Sequence, residues 1–227
     1  MDVLKRIIPH LLLNLRFFPD VSLFHGKMGG VLFFYEYSRC THEVAYENFA
    51  SDLLDDFYHN IKVNTPINFE NGLSGIGWGL QYLIQQRFID ADPDVILQDI
   101  DSEIIKYTPE KMTDLSFNTG LLGITFYILS RIKTSSRIDK TVFDKDYLMH
   151  IYIGLCRDCI IYNEPNNEIL QNLKQCLTTD DYAMQSSVAI TDFLMNENIN
   201  VNDLQSAPLG LCNGLIGLAW RSILPNQ

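Results

Sequence analysis

The sequence predicts an all-α fold, closed into an α/α toroid of about five helical hairpins, and three observations carry the prediction. Strand-type alternation is scarce, while apolar residues recur at three- and four-residue spacing through most of the chain. Amphipathic segments alternate with segments that are apolar on nearly every side, the pattern of a partly wet helix followed by a buried one. Four apolar segments open at a Gly-x-x-Gly pair, with first glycines at 26, 72, 120 and 214. Their separations are 46, 48 and 94 residues, so a period of about 47 with one degenerate copy near residue 167 accounts for the set.

The elements follow in order. Leu4, Ile7, Ile8, Leu11, Leu12 and Leu15 mark a first helix, which Pro9 either kinks or starts. Pro19-Asp20 breaks the chain, and an apolar helix opens after His25-Gly26-Lys27-Met28-Gly29-Gly30 and reaches about Ser38. From Glu43 to about His59, Tyr46, Phe49, Leu53 and Phe57 make an apolar stripe opposite Glu47, Ser51, Asp52, Asp55 and Asp56. Asn71-Gly72-Leu73-Ser74-Gly75-Ile76 opens the next apolar helix, which ends near Phe88. Asp92 and Pro93 are an N-cap and first position, with Val95, Ile96, Ile100 and Ile104 as the expected inner stripe. Thr119-Gly120-Leu121-Leu122-Gly123-Ile124 starts an apolar helix to about Ile132, and Asp144 to Ile161 is amphipathic again. Leu170 to Leu177 is a short follower without glycines, Ser187 to Met195 is a candidate outer helix, and Asn213-Gly214-Leu215-Ile216-Gly217-Leu218 opens the last helix.

No linker composition interrupts residues 1–227, which read as one domain. An open solenoid needs polar terminal repeats. Here the first helix is rich in Leu and Ile and the last is apolar to Leu224, which favours a closed ring over an open array. An irregular helical bundle is the plainer alternative.

The net charge of −11 argues against a nucleic-acid partner, because no Lys/Arg stripe offsets 28 acids. No stretch approaches the roughly 20 apolar residues of a membrane span, so membrane insertion is not expected. Five cysteines, an odd number scattered through apolar patterns, fit a reducing compartment, and a signal peptide is not evident. The expected location is the cytoplasm.

Each glycine pair clears side chains from one patch of a helix's first turn. The plain reading is close packing of neighbouring helices or loops. The functional reading is that the helix starts share one end of the ring, where unbonded N–H groups and dipoles line a polar funnel. His25, Asn71, Thr119 and Asn213, each preceding a first glycine, would stand at its rim, with Asn71, Thr119 and Asn213 as binding residues and His25 as a candidate acid–base group.

At these four stretches the sequence resembles the lanthionine synthetase C-like family, whose α/α toroids are built from inner helices opening with Gly-x-x-Gly. With the repeat spacing, the resemblance covers nearly the whole chain, although active cyclases of the family are larger rings of six or seven hairpins. It implies peptide modification of the lantibiotic type: a zinc ion held by two cysteines and a histidine activates a substrate thiolate, which adds to a dehydrated Ser or Thr and closes a thioether ring. The family's ligand motif is Cys-His-Gly, with a further Cys from the preceding inner helix. Here Cys212-Asn213-Gly214 has asparagine in place of histidine, and the preceding helix offers only Cys176, at the wrong end. The resemblance thus implies one ligand, Cys212, of three, and no complete zinc site or other cofactor. The expected role is peptide handling by a degenerate member, with a peptide substrate or partner protein and no nucleic acid. A non-catalytic peptide-binding scaffold is the first alternative, and a glycoside hydrolase using Glu70 and Asp114 is the second. Cys156 and Cys159 have C-x-x-C spacing but read as buried core cysteines within a helical stripe.

Overall fold

Every regular element is helical, and no strand occurs among the described residues. The computed structural model describes residues 2–60, 65–135, 143–157, 164–179, 189–194 and 199–224. The side chain of Phe57, Cys159 and the ends of the helix expected over 187–195 lie outside them. The helices are α1 (Asp2–Asn14), α2 (Lys27–Thr41), α3 (Val44–Asn60), α4 (Leu73–Gln85), α5 (Pro93–Ile96), α6 (Gln98–Ile105), α7 (Leu121–Thr134), α8 (Lys145–Cys156), α9 (Glu164–Thr178) and α10 (Leu215–Ile223). Short 3-10 turns occupy Leu15–Phe17, Pro109–Lys111 and Ile190–Phe193, the last being all that is described of the expected outer helix. No described helix is long and apolar enough to cross a membrane.

The chain divides into two compact units, one of Met1–Thr65 with Ala189–Gln227 and one of Pro66–Val188. In the first, α2 packs on α3, and α10 packs on both α1 and α2. α1 turns Ile7, Ile8 and Leu11 inward and continues through Pro9 without a break. α2 is buried from Lys27 to Tyr35. A buried lysine needs an acceptor, and Lys27 Nζ donates to the Arg16 carbonyl oxygen at 3.0 Å. Phe34 meets Phe49 edge-on at 4.8 Å, and Phe33 reaches Trp220 of α10 at 6.0 Å. Such aromatic pairs add to the area they bury.

In the second unit α4 and α7 lie side by side, α7 also packs on α8 and α9, and α6 packs on α4. Phe69, Phe117 and Phe126 form a triangle with centroids 5.0–5.5 Å apart. Asp92 caps α5 by accepting from the Asp94 N–H at 2.8 Å, with Pro93 in the first position as expected.

The α5–α6 stripe is shifted from the expected one. Val95 is 65% exposed, and the inward positions are Asp94, Leu97, Ile100, Asp101 and Ile104. The reason is Arg131 of α7, itself 1% exposed, whose Nη2 donates to Asp94 at 2.6 Å and whose Nε donates to Asp101 at 2.9 Å. The buried hydroxyl of Tyr127 donates to Asp101 at 2.6 Å. Burial opposes the charge on Arg131, but the Asp101 carboxylate and the Asp94 hydrogen bond hold its pKa above the usual value. Cys156 also departs from the expected core position: Ile151 and Leu155 are buried and Cys156 is exposed.

Candidate functional site

The four glycine pairs share one construction. Gly26, Gly72, Gly120 and Gly214 are the N-caps of α2, α4, α7 and α10, each extended and without a side-chain cap. In place of a cap, the first helical N–H turns back to a carbonyl seven residues earlier: Lys27 to Asp20, Leu73 to Pro66, Leu121 to Asp114 and Leu215 to Pro208, all at 2.8–3.0 Å. At α4 and α10 the second N–H does the same, from Ser74 to Ile67 and from Ile216 to Leu209. The loop carbonyls therefore occupy first-turn donors expected to face a ligand: the first N–H at all four starts and the second at α4 and α10. The loop's path requires the first glycine: a Cβ on Gly26 would lie 2.6 Å from the Asp20 carbonyl oxygen.

The position six before the first glycine reads Asp20, Pro66, Asp114 and Pro208. The two aspartates repeat a second contact, their Oδ1 accepting the Ser22 and Ser116 N–H groups at 2.8 Å in an Asx turn. The position three before the glycine is apolar throughout: Leu23, Phe69, Phe117 and Leu211.

Neighbouring loops are joined by a repeated contact. In the second unit the Glu70 N–H donates to the Asn118 carbonyl at 2.8 Å; in the first, the Cys212 N–H donates to the Phe24 carbonyl at 3.0 Å. All four residues stand two before a first glycine. The second glycines receive the adjoining loop: a Cβ on Gly123 would lie 2.6 Å from Phe69 Cβ, and one on Gly29 would lie 2.9 Å from Leu211 Cβ. Close packing is thus the physical use of the second glycine at both starts.

The structure sorts the expected rim residues into two pairs, one in each unit. His25 is half-buried beside the last loop, where a Cβ on Gly210 would come within 3.0 Å of its Cα. Asn213, also half-buried, has φ 52°, a left-handed conformation that asparagine tolerates better than most residues. Asn71 and Thr119 are exposed on the joined loops of the second unit. The Asn71 N–H donates to Asn68 Oδ1 at 2.9 Å, and the Thr119 hydroxyl donates to Asp114 Oδ2 at 2.6 Å.

Asp114 is committed to its own loop. The Thr119 hydroxyl, then the Ser116 N–H and hydroxyl, hold its carboxyl below the ordinary aspartate value. A glycosidase acid must keep its proton at working pH. A lowered carboxyl does not suit the proton donor of such a pair, but it is compatible with the ionised second carboxylate.

Cys212 is 7% exposed, and none of the described cysteines forms a disulfide. No group of three or more His, Cys, Asp or Glu side chains that could hold a metal occurs among the described residues. At the motif the donors are one thiol and an asparagine amide, a poor zinc ligand, and Cys176 stands in the last turn of α9 rather than at a helix start. Comparison with family models, curated proteins and solved structures finds no match to this chain.

The construction that sequence reasoning missed had a readable signal. An Asp or Pro six before the glycine, together with an apolar residue three before it, extends the four-residue motif into a seven-residue loop.

Proposed function

We propose that this chain is a short α/α toroid of the lanthionine synthetase C-like type, a cytoplasmic protein that handles a peptide through its helix-start loops and has lost the zinc chemistry. The observation that supports it best is the loop-to-loop bond, Glu70 to Asn118 and Cys212 to Phe24. It links the second copy to the third within one unit and the last copy to the first within the other, in the same register. The exposed residues before the glycines, Asn71 and Thr119, and the half-buried His25 and Asn213 are the groups offered to the peptide. Binding without thioether formation follows from the donor set at Cys212-Asn213.

A pool of short peptides containing Ser, Thr and Cys, set against a panel of oligosaccharides, tests this on the intact protein. The proposal expects peptide binding that weakens about fivefold when an exposed hydrogen-bonding group is removed, as in Asn71→Ala. Oligosaccharide binding, or peptide binding indifferent to Asn71, contradicts it.

A further inference from the structure

The outer face of α1 and the 3-10 turn that follows it combines cations with exposed large apolar side chains. Over residues 2–17 it carries Lys5, Arg6 and Arg16 against the single acid Asp2, a local charge of +2 in a chain whose net charge is −11. The same outward face carries Val3 at 40%, Leu13 at 72% and Phe17 at 84% exposure, while Ile7, Ile8, Leu11 and Leu15 fill the core side. Val3, Arg6, His10, Leu13 and Phe17 follow one another three or four residues apart, so Arg6 shares one stripe with the large apolar tips, and the exposed Lys5 and Arg16 adjoin Arg6 and Phe17 in the chain. Among the described residues Asp52 of α3 pairs with it, 3.9 Å from Arg16 with both side chains exposed, a geometry that contributes little.

We propose that this face docks peripherally on an anionic lipid surface, without spanning it. Leu13 and Phe17 enter the headgroup boundary, and Lys5, Arg6 and Arg16 lie over lipid phosphates and carboxylates with their alkyl stems along the apolar boundary. The charge of the remaining chain does not prevent approach, because screening confines each charge to about 10 Å at 0.1 M salt. A second copy of the chain is a worse occupant, since a two-fold interface sets the same three cations against themselves. Nucleic acid supplies phosphates but no apolar layer for Leu13 and Phe17.

Sedimentation of the full chain with phosphatidylcholine vesicles, with and without phosphatidylserine, tests the proposal. Binding should appear with phosphatidylserine and fall as salt is raised. Arg6→Gln should weaken it about fivefold, and Leu13→Ser with Phe17→Ser should weaken it by tenfold or more. These side chains are exposed, and unchanged helical circular dichroism confirms that each variant is folded. Equal binding to both vesicle types, no binding to either, or unchanged binding by the folded Leu13/Phe17 variant overturns the proposal. So does a loss of self-association in that variant without any vesicle binding in the parent.

Discussion

Arg131 is the residue on which the second unit's polar interior depends. It offers Nη2 to Asp94 and Nε to Asp101, while Nη1 has no hydrogen-bond partner among the described residues. Removing the cation leaves two buried carboxylates facing each other, so Arg131→Met should cost about 3–5 kcal/mol in chemical denaturation. Changing Asp94→Asn and Asp101→Asn as well removes the stranded charges, and the triple variant should recover much of that loss. At Asp114 the Thr119 hydroxyl leads the interactions that lower the carboxyl pKa. The stabilising effect is therefore present above the unfolded value and lost as pH falls through the depressed folded one. In a carboxyl NMR titration, Thr119→Val should move the Asp114 midpoint back up toward the ordinary aspartate value. His150 runs the other way: its bond to Glu110 raises the imidazole pKa above 6.5, so the pair contributes at low pH and fades as pH rises through the raised value. Glu110→Gln should bring the His150 midpoint down. The Arg131 and His150 pairings were not legible in the sequence, because partners 30 to 40 residues apart leave no local pattern; Thr119 and Asp114 are five residues apart within one loop.

At the scale of the element, periodicity placed the helices well where an apolar stripe was wide. α2, α4, α7 and α10 all begin where the glycine pairs put them. It failed in part on α5–α6, where Ile100 and Ile104 are buried as expected but Val95 is exposed and two aspartates that a hydropathy reading assigns to water face inward. It also failed on the donors of the first turn, because a carbonyl folding back from seven residues away makes no apolar signal. The glycines themselves are testable. In an open helix interior Gly→Ala is favourable by roughly 0.5–1 kcal/mol. Gly29→Ala and Gly123→Ala should instead destabilise by about 1–3 kcal/mol, since each new Cβ meets a neighbouring loop inside van der Waals contact. A rise in the denaturation midpoint of either variant would show that the loops are not packed against these helices as described.

At the scale of the whole molecule, the first and last parts of the sequence fold together, with α10 lying on α1 and α2. Trp220, 2% exposed, is the central side chain of α10, and Trp220→Ala should cost about 3–5 kcal/mol and loosen both partners. The all-α class was fully legible in the sequence. Asn213, which the resemblance sets where the family carries a histidine, follows a Cys212 that the structure buries. What the sequence could not convey is that Asn213 takes a left-handed turn and that the Cys212 backbone is tied to the first loop. The central claim is peptide handling without zinc chemistry. Elemental analysis of the purified chain after zinc loading and dialysis tests it most directly. Substoichiometric zinc that Cys212→Ala leaves unchanged is the expected result; stoichiometric zinc that disappears in Cys212→Ala would contradict it.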